Sequence, residues 1–180
     1  MISKALDCPF CLKTASEVKK SGAITYQVCC SSCSAKGPSA KTAEQAVHQW
    51  ESFFQDVSLS KLVIDESPDI ILIKDWDGRF LLGNPALAQL YGTTPDQLIG
   101  HDDGHFNPNQ EQVDFYLAST RDVIRSGEVQ YVEESSTDNI TGQVKHYLSV
   151  KKPFYGPTGE PRVLVIANDI TELKVAYQKL

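Results

Sequence analysis

Apolar residues recur along this chain with two different periods, and the changes of period mark its elements. From Thr42 the spacing is helical: Ala43, Ala46, Val47, Trp50, Phe53 and Phe54 share one face. Thr42 can serve as N-cap, with Gln45 at the third helical position in a capping-box arrangement. This helix is predicted to end near Asp56 or to run on through Leu59, Leu62 and Val63. Ser67-Pro68 closes the segment, because a residue before proline avoids the helical region. Strand-like segments follow. Asp69–Asp75 is apolar and β-branched, Asp75-Trp76-Asp77-Gly78 is a hairpin turn, and Arg79–Leu82 returns as a second strand. Asn84 caps a short helix with Pro85 at its first position. Thr94-Pro95 starts another short helix, and 100–108 is predicted as a polar loop. Glu111–Arg125 forms a longer helix, then come strands over Val129–Ser136, Val144–Phe154 and Arg162–Asp169. A last helix starts at Thr171 and is still running at Leu180, which suggests either a truncated chain or a short dimerising tail.

Ahead of position 42 the pattern is weaker. A strand is expected over Ala23–Val28, with Ser21-Gly22 as a turn, and the residues between Cys11 and Ser21 carry no clear period. Here composition says more. The chain has 180 residues, and all five of its cysteines lie between Cys8 and Cys33. An odd number crowded at one end is a poor disulfide framework and fits a local metal site in a reducing, cytoplasmic setting. Residues 1–56 carry six Lys and five Asp/Glu, a formal +1, and 57–180 carry eleven basic and eighteen acidic residues, a formal −7. The acidic body argues against general nucleic-acid coating. No apolar run approaches the roughly 18 residues of a membrane span, and no secretory h-region opens the chain.

Cys8-x2-Cys11 and Cys30-x2-Cys33 have the spacing of paired zinc knuckles. Tetrahedral zinc takes four thiolates at about 2.3 Å, and four protein ligands leave no open position, so the zinc would be structural. A head this small has too little core to fold without such a staple. Cys29 is left over, although a Cys29-x3-Cys33 knuckle is an alternative. Cys8-Pro9-Phe10-Cys11, Cys33-Ser34-Ala35-Lys36-Gly37-Pro38 and Thr42-Ala43-Glu44-Gln45-Ala46-Val47 followed by Trp50 resemble the Lar and Com-like restriction-alleviation zinc ribbons over about 5–52. Leu12 and Ser34 stand where that family usually has glycine, and Glu51 where it has asparagine.

The body is an α+β arrangement: a five-stranded antiparallel sheet with helices on one face. Asp69-Ile-Ile-Leu-Ile-Lys-Asp-Trp-Asp-Gly-Arg-Phe resembles the opening hairpin of PAS sensor domains. Asn84-Pro85-Ala86, Tyr91-Gly92-Thr93-Thr94-Pro95, Gly100-His101-Asp102-Asp103, Lys151-Lys152-Pro153-Phe154 and Asp169-Ile170-Thr171-Glu172 are similar to that family's later motifs, so the resemblance spans about 58–180. The expected division is a zinc ribbon at 1–41, a helical connector at 42–67, a PAS domain at 68–173 and the start of a signalling helix at 174–180.

The PAS resemblance implies sensing or protein interaction. It implies a cavity, with Leu72, Leu87, Tyr91, Phe106, Tyr116, Tyr131, Leu148 and Val165 as candidate walls. It also implies a signal junction at Asp169 and Thr171, where a strand end meets a helix cap. The body has no cysteine, which excludes a flavin–cysteine adduct. The long helix has no histidine, which argues against haem. His101 and His105 lie in the preceding loop beside two carboxylates, and a metal there is the less common reading. An unidentified organic ligand or an empty apolar core remains. No catalytic triad stands out. Glu133 and Glu134 are neighbours on a strand and face opposite sides, so they make no catalytic pair.

The reading is a non-enzymatic cytosolic sensor or adaptor. Its zinc ribbon docks, its PAS domain senses, and its C-terminal helix reaches a protein partner or effector domain. Homodimerisation through Trp50, Phe53, Phe54, Leu59 and Leu62 is a further expectation. The alternative is a nucleic-acid-binding regulator. Its ribbon would meet phosphates through Lys13, Lys19 and Lys20 and stack a base on Tyr26, with the PAS domain as ligand or redox switch.

Overall fold

The computed structural model describes residues 6–11 and 13–177. Lys4, Leu12 and the last expected helical turn at 178–180 lie outside the described residues. The chain divides into two compact units, Met1–Val63 and Ile64–Leu180. Among the described residues no helix is long and apolar enough to cross a membrane.

The first unit is a three-stranded antiparallel sheet, β1 (Leu6–Asp7), β2 (Thr14–Lys20) and β3 (Tyr26–Cys30), in the order β1-β2-β3. The strand β2 had no signal in the sequence. Its most buried inward residue is Ser16, so the apolar alternation that would mark a strand is broken at its centre. The expected strand at Ala23–Val28 is shifted to Tyr26–Cys30. Helix α1 (Ala43–Asp65) is continuous and passes Asp56 without a break. Thr42 Oγ1 accepts the Gln45 backbone N–H at its start. Its first turns belong to the head: Ala46 and Trp50 are buried with Leu6, Val28 and Ala40. The Trp50 indole N–H donates to the Asp7 carbonyl at 2.8 Å. Its ring lies so close to Gly37 that a Cβ there would come within 2.7 Å of it. Trp50 is therefore not free for the dimer stripe expected above, whereas Phe53, Leu59 and Leu62 are exposed.

The second unit holds β4 (Ile70–Asp75), β5 (Phe80–Gly83), α2 (Pro85–Tyr91), α3 (Pro95–Leu98), α4 (Asp103–Phe106) and α5 (Gln110–Ser126), then β6 (Gln130–Thr137), β7 (Val144–Tyr155), β8 (Pro161–Asp169) and α6 (Thr171–Tyr177). The five strands form one antiparallel sheet in the order β5-β4-β8-β7-β6. The core joins Ile70, Leu72, Val163, Val165 and Ala167 of the inner sheet face to Leu87, Leu90 and Tyr91 of α2 and Val123 of α5.

Local chemistry sets the joints. The Asn84 side chain accepts the backbone N–H groups of Ile71 (3.1 Å) and Leu87 (3.3 Å) and donates to the Asp69 and Ile64 carbonyls. One buried amide thus ties β4 to the start of α2. Gly92 ends α2 in the left-handed region, where glycine carries no Cβ penalty. The predicted 100–108 loop contains α4 instead, capped by Asp102, whose carboxylate accepts the His105 N–H. The one-turn helix was hidden because its four residues, Asp-Gly-His-Phe, give no period.

Candidate functional site

A strand sends alternate side chains to opposite faces. On β4 the inward set is Ile70, Leu72 and Lys74, and Lys74 is 4% exposed. On β7 it is Tyr147, Ser149 and Lys151, and on β6 it includes Glu134 and Ser136. These polar residues end up against the same core as the aliphatic ones. Together with α2, α4 and α5 they enclose a cavity of about 50 Å³. One water needs about 10–15 Å³ of such space.

Of the expected walls, Leu72, Leu87, Tyr91, Tyr116 and Val165 line this cavity. Phe106 lies one layer back: it stacks on Tyr91 with ring centroids 5.6 Å apart. Tyr131 and Leu148 correct the reading. They are 74% and 41% exposed and sit on the outer sheet face, opposite Val150 and Glu133 respectively. The inward phase of β6 and β7 is the polar one, so apolar character pointed to the wrong face.

The cavity's charged groups were missed by sequence reasoning. Lys74 Nζ lies 2.5 Å from Asp103 Oδ2, and both side chains are almost wholly buried. Asp103 Oδ1 accepts the Tyr91 hydroxyl at 3.0 Å. Lys151 Nζ donates to Glu134 Oε2 (2.7 Å) and Ser119 Oγ (3.0 Å), and Glu134 Oε1 accepts from Ser149 Oγ (2.5 Å). The Tyr116 hydroxyl donates to the Ser135 carbonyl at 2.5 Å. Burial holds the Tyr91, Tyr116 and Tyr147 phenols above their usual range. Burial also lowers the Lys151 ammonium, against the Glu134 charge. One signal was available: Lys74 falls inside an otherwise apolar strand.

At the exit of the sheet, Asp169 and Thr171 meet as expected of a cap. The Asp169 carboxylate accepts the Thr171 N–H (2.9 Å), and Thr171 Oγ1 accepts the His146 N–H (2.9 Å). Glu133, adjacent to Glu134 but on the opposite face of β6, pairs with Lys174 of α6 at 2.7 Å.

In the first unit, the sulfurs of Cys8, Cys11, Cys30 and Cys33 all lie within 4.8 Å of one another. The Cys8–Cys33 and Cys11–Cys30 separations are 3.6 Å, far beyond a disulfide bond. They approach the roughly 3.8 Å edge of a tetrahedron with 2.3 Å metal–sulfur bonds. The donor set therefore fits a soft tetrahedral cation. The Cys33 backbone N–H pulls the Cys30 thiol down to about 6 against burial. The Ala35 N–H acts likewise on Cys33, but burial and the three neighbouring sulfurs outweigh it and hold that thiol up to about 12. Cys29 points away from this cluster, because it neighbours Cys30 on β3. It faces a shallow surface groove with Lys19, Lys20 and Lys36. Ser34 follows the second knuckle with φ 63°, a left-handed conformation that suits glycine better. Among the described residues these cysteines are the one metal-capable set. His101 and His105 stack on each other at the surface, 4.1 Å between centroids, while Asp103 turns inward to Lys74.

Residues 64–175 match the PAS fold family, and the chain belongs to it. A diguanylate cyclase of Vibrio cholerae serotype O1 is 30% identical over 128 residues, 70% of this chain and 40% of that protein. FilI, a methanogenesis regulatory histidine kinase of Methanothrix harundinacea, is 27% identical over 153 residues, 78% of this chain and 16% of that protein. The PAS domain of an HTR-like protein from Haloarcula marismortui superposes with a TM-score of 0.58 at 18% identity, over 69% of this chain and 99% of that one. The second unit is thus a sensory-domain fold, and the match covers well under two thirds of either signalling enzyme.

Proposed function

We propose that this chain is a non-enzymatic, cytosolic signalling module. In this reading its PAS unit receives a small molecule and passes the change to α6, and its head is held by a structural zinc ion. The carrying observation is on β6. Glu134 reaches into the cavity to Lys151, and the next residue, Glu133, reaches out to Lys174 of α6. A ligand that shifts the Glu134 pair moves the strand that holds the exit helix, so Asp169 and Thr171 act as the signal junction. Among the described residues no histidine, cysteine or methionine lines the cavity to ligate a haem iron, so this reading favours a compact organic ligand. The absence of cysteine after position 33 leaves no partner for a flavin adduct.

Zinc fits four thiolates better than a hard cation does. Cys8, Cys11, Cys30 and Cys33 would hold it and leave no position for substrate, so the metal would only fold the head. Downstream, α6 would engage a protein partner or effector domain. Leu59, Leu62 and Val63, at i, i+3 and i+4 of α1, are exposed and offer an apolar face for a homodimer.

Native mass spectrometry of the full chain tests this reading. It should find one zinc per chain and a retained compound of low mass. A metal-free, ligand-free spectrum from freshly purified protein would contradict both parts. A second reading, nucleic-acid binding by the head, draws on Lys19, Lys20 and Lys36 around one groove. Lys19 is already tied to Glu17 at 2.9 Å. Salt-dependent binding to DNA or RNA fragments would favour that reading.

A further inference from the structure

The PAS cavity has two chemically unlike sets of walls. Leu72, Leu87, Leu90 and Val165 are aliphatic, and the charged residues with the Thr120 and Ser136 hydroxyls are polar. The four charges of the polar set cancel. Each carboxylate oxygen already accepts a bond: Asp103 from Lys74 and Tyr91, Glu134 from Lys151 and Ser149.

The donors are not used up. An ammonium carries three N–H groups. Lys151 spends two, on Ser119 and Glu134. Lys74 spends one on Asp103 and otherwise faces the rings of Phe80 (4.7 Å) and Tyr116 (5.6 Å). Ser136, 6% exposed, sits beside the Tyr116 hydroxyl, whose proton is committed to the Ser135 carbonyl. Its own oxygen meets no partner in hydrogen-bonding geometry. Thr120, 2% exposed, adds a second hydroxyl to the polar lining. A buried polar group without a partner is destabilising, and so is any added charge that the quartet does not neutralise.

We infer that the cavity takes a small uncharged molecule with an apolar part and a strong hydrogen-bond acceptor, the acceptor meeting Lys74 and Ser136 and the apolar part meeting Leu72, Leu87 and Val165. This inference rests on the cavity being a ligand site, as proposed above. An anion would leave a net negative charge buried. A cation would leave a net positive charge buried among four charges that already cancel.

The test is methyl-selective NMR of the full chain, titrated with three probes of matched size: propionamide, propionate and propylammonium. Propionamide should shift the methyls of Leu72, Leu87 and Val165 saturably and bind more tightly than the two ions. Ser136→Ala keeps both ion pairs and should weaken propionamide by about 3–10-fold, the equivalent of one neutral hydrogen bond. Tighter binding of propionate or propylammonium would overturn the ligand class while keeping the site. An unchanged propionamide affinity in Ser136→Ala would overturn the role of that hydroxyl. If none of the probes moves the cavity methyls, the ligand-site reading itself fails.

Discussion

Lys74 and Asp103 are 29 residues apart in the chain and 2.5 Å apart in the fold, with both side chains shut away from water. Neither can lose its partner cheaply. Lys74→Met alone, or Asp103→Leu alone, should destabilise the PAS unit by about 3–5 kcal/mol, because each leaves a buried charge unpaired. The double variant should recover most of that loss, since an apolar pair of similar volume avoids the desolvation cost. Urea unfolding of the three variants checks this. Additive losses in the double variant would argue that the pair is not coupled.

The buried phenols set an alkaline limit. Tyr91, Tyr116 and Tyr147 have folded pKa values above that of an unfolded tyrosine, in each case chiefly through burial. The folded chain keeps three protons that the unfolded chain releases near pH 10. Their contribution is therefore intact below about pH 10 and is lost as pH rises beyond it. Ultraviolet titration should show the ionisation of Tyr91, Tyr116 and Tyr147 delayed until the chain unfolds.

Ser34 stands in the left-handed region at the second knuckle. Relief of that strain is partly offset by the greater freedom of glycine in the unfolded chain. Ser34→Gly should stabilise the head by about 0.5–1 kcal/mol. Thermal unfolding at fixed metal concentration measures it, and a lower melting temperature would show that the strain is illusory.

The cysteines should divide four to one. Cys8→Ser or Cys30→Ser should abolish stoichiometric zinc and unfold the head, while Cys29→Ser leaves metal content unchanged. Metal analysis together with head-resolved NMR spectra separates these outcomes.

How legible the molecule was in its sequence differed by element. The helices with caps were readable: Asn84-Pro85 before α2 and Thr42 before α1 act through local bonds that need no distant partner. The knuckle spacing likewise brought four sulfurs together. Strand phase was not readable on β6 and β7, because Glu134, Ser149 and Lys151 face inward where apolar residues were expected. Their burial makes sense only once β6, β7 and α5 bring carboxylate, ammonium and hydroxyl together, a relationship no local window contains. The position of Asp103 was lost for the same reason. In the chain it looks like part of a polar loop, and in the fold it answers Lys74.

The central claim is that the cavity and the exit helix are linked through β6. Hydrogen exchange of Glu134→Gln against the unaltered chain tests it without needing the ligand. The substitution releases Lys151 inside the cavity and leaves the Glu133–Lys174 pair chemically intact. The account predicts faster exchange across Thr171–Tyr177 than the change in β4 amides explains. Exchange in α6 that rises only in step with β4, or not at all, would contradict it.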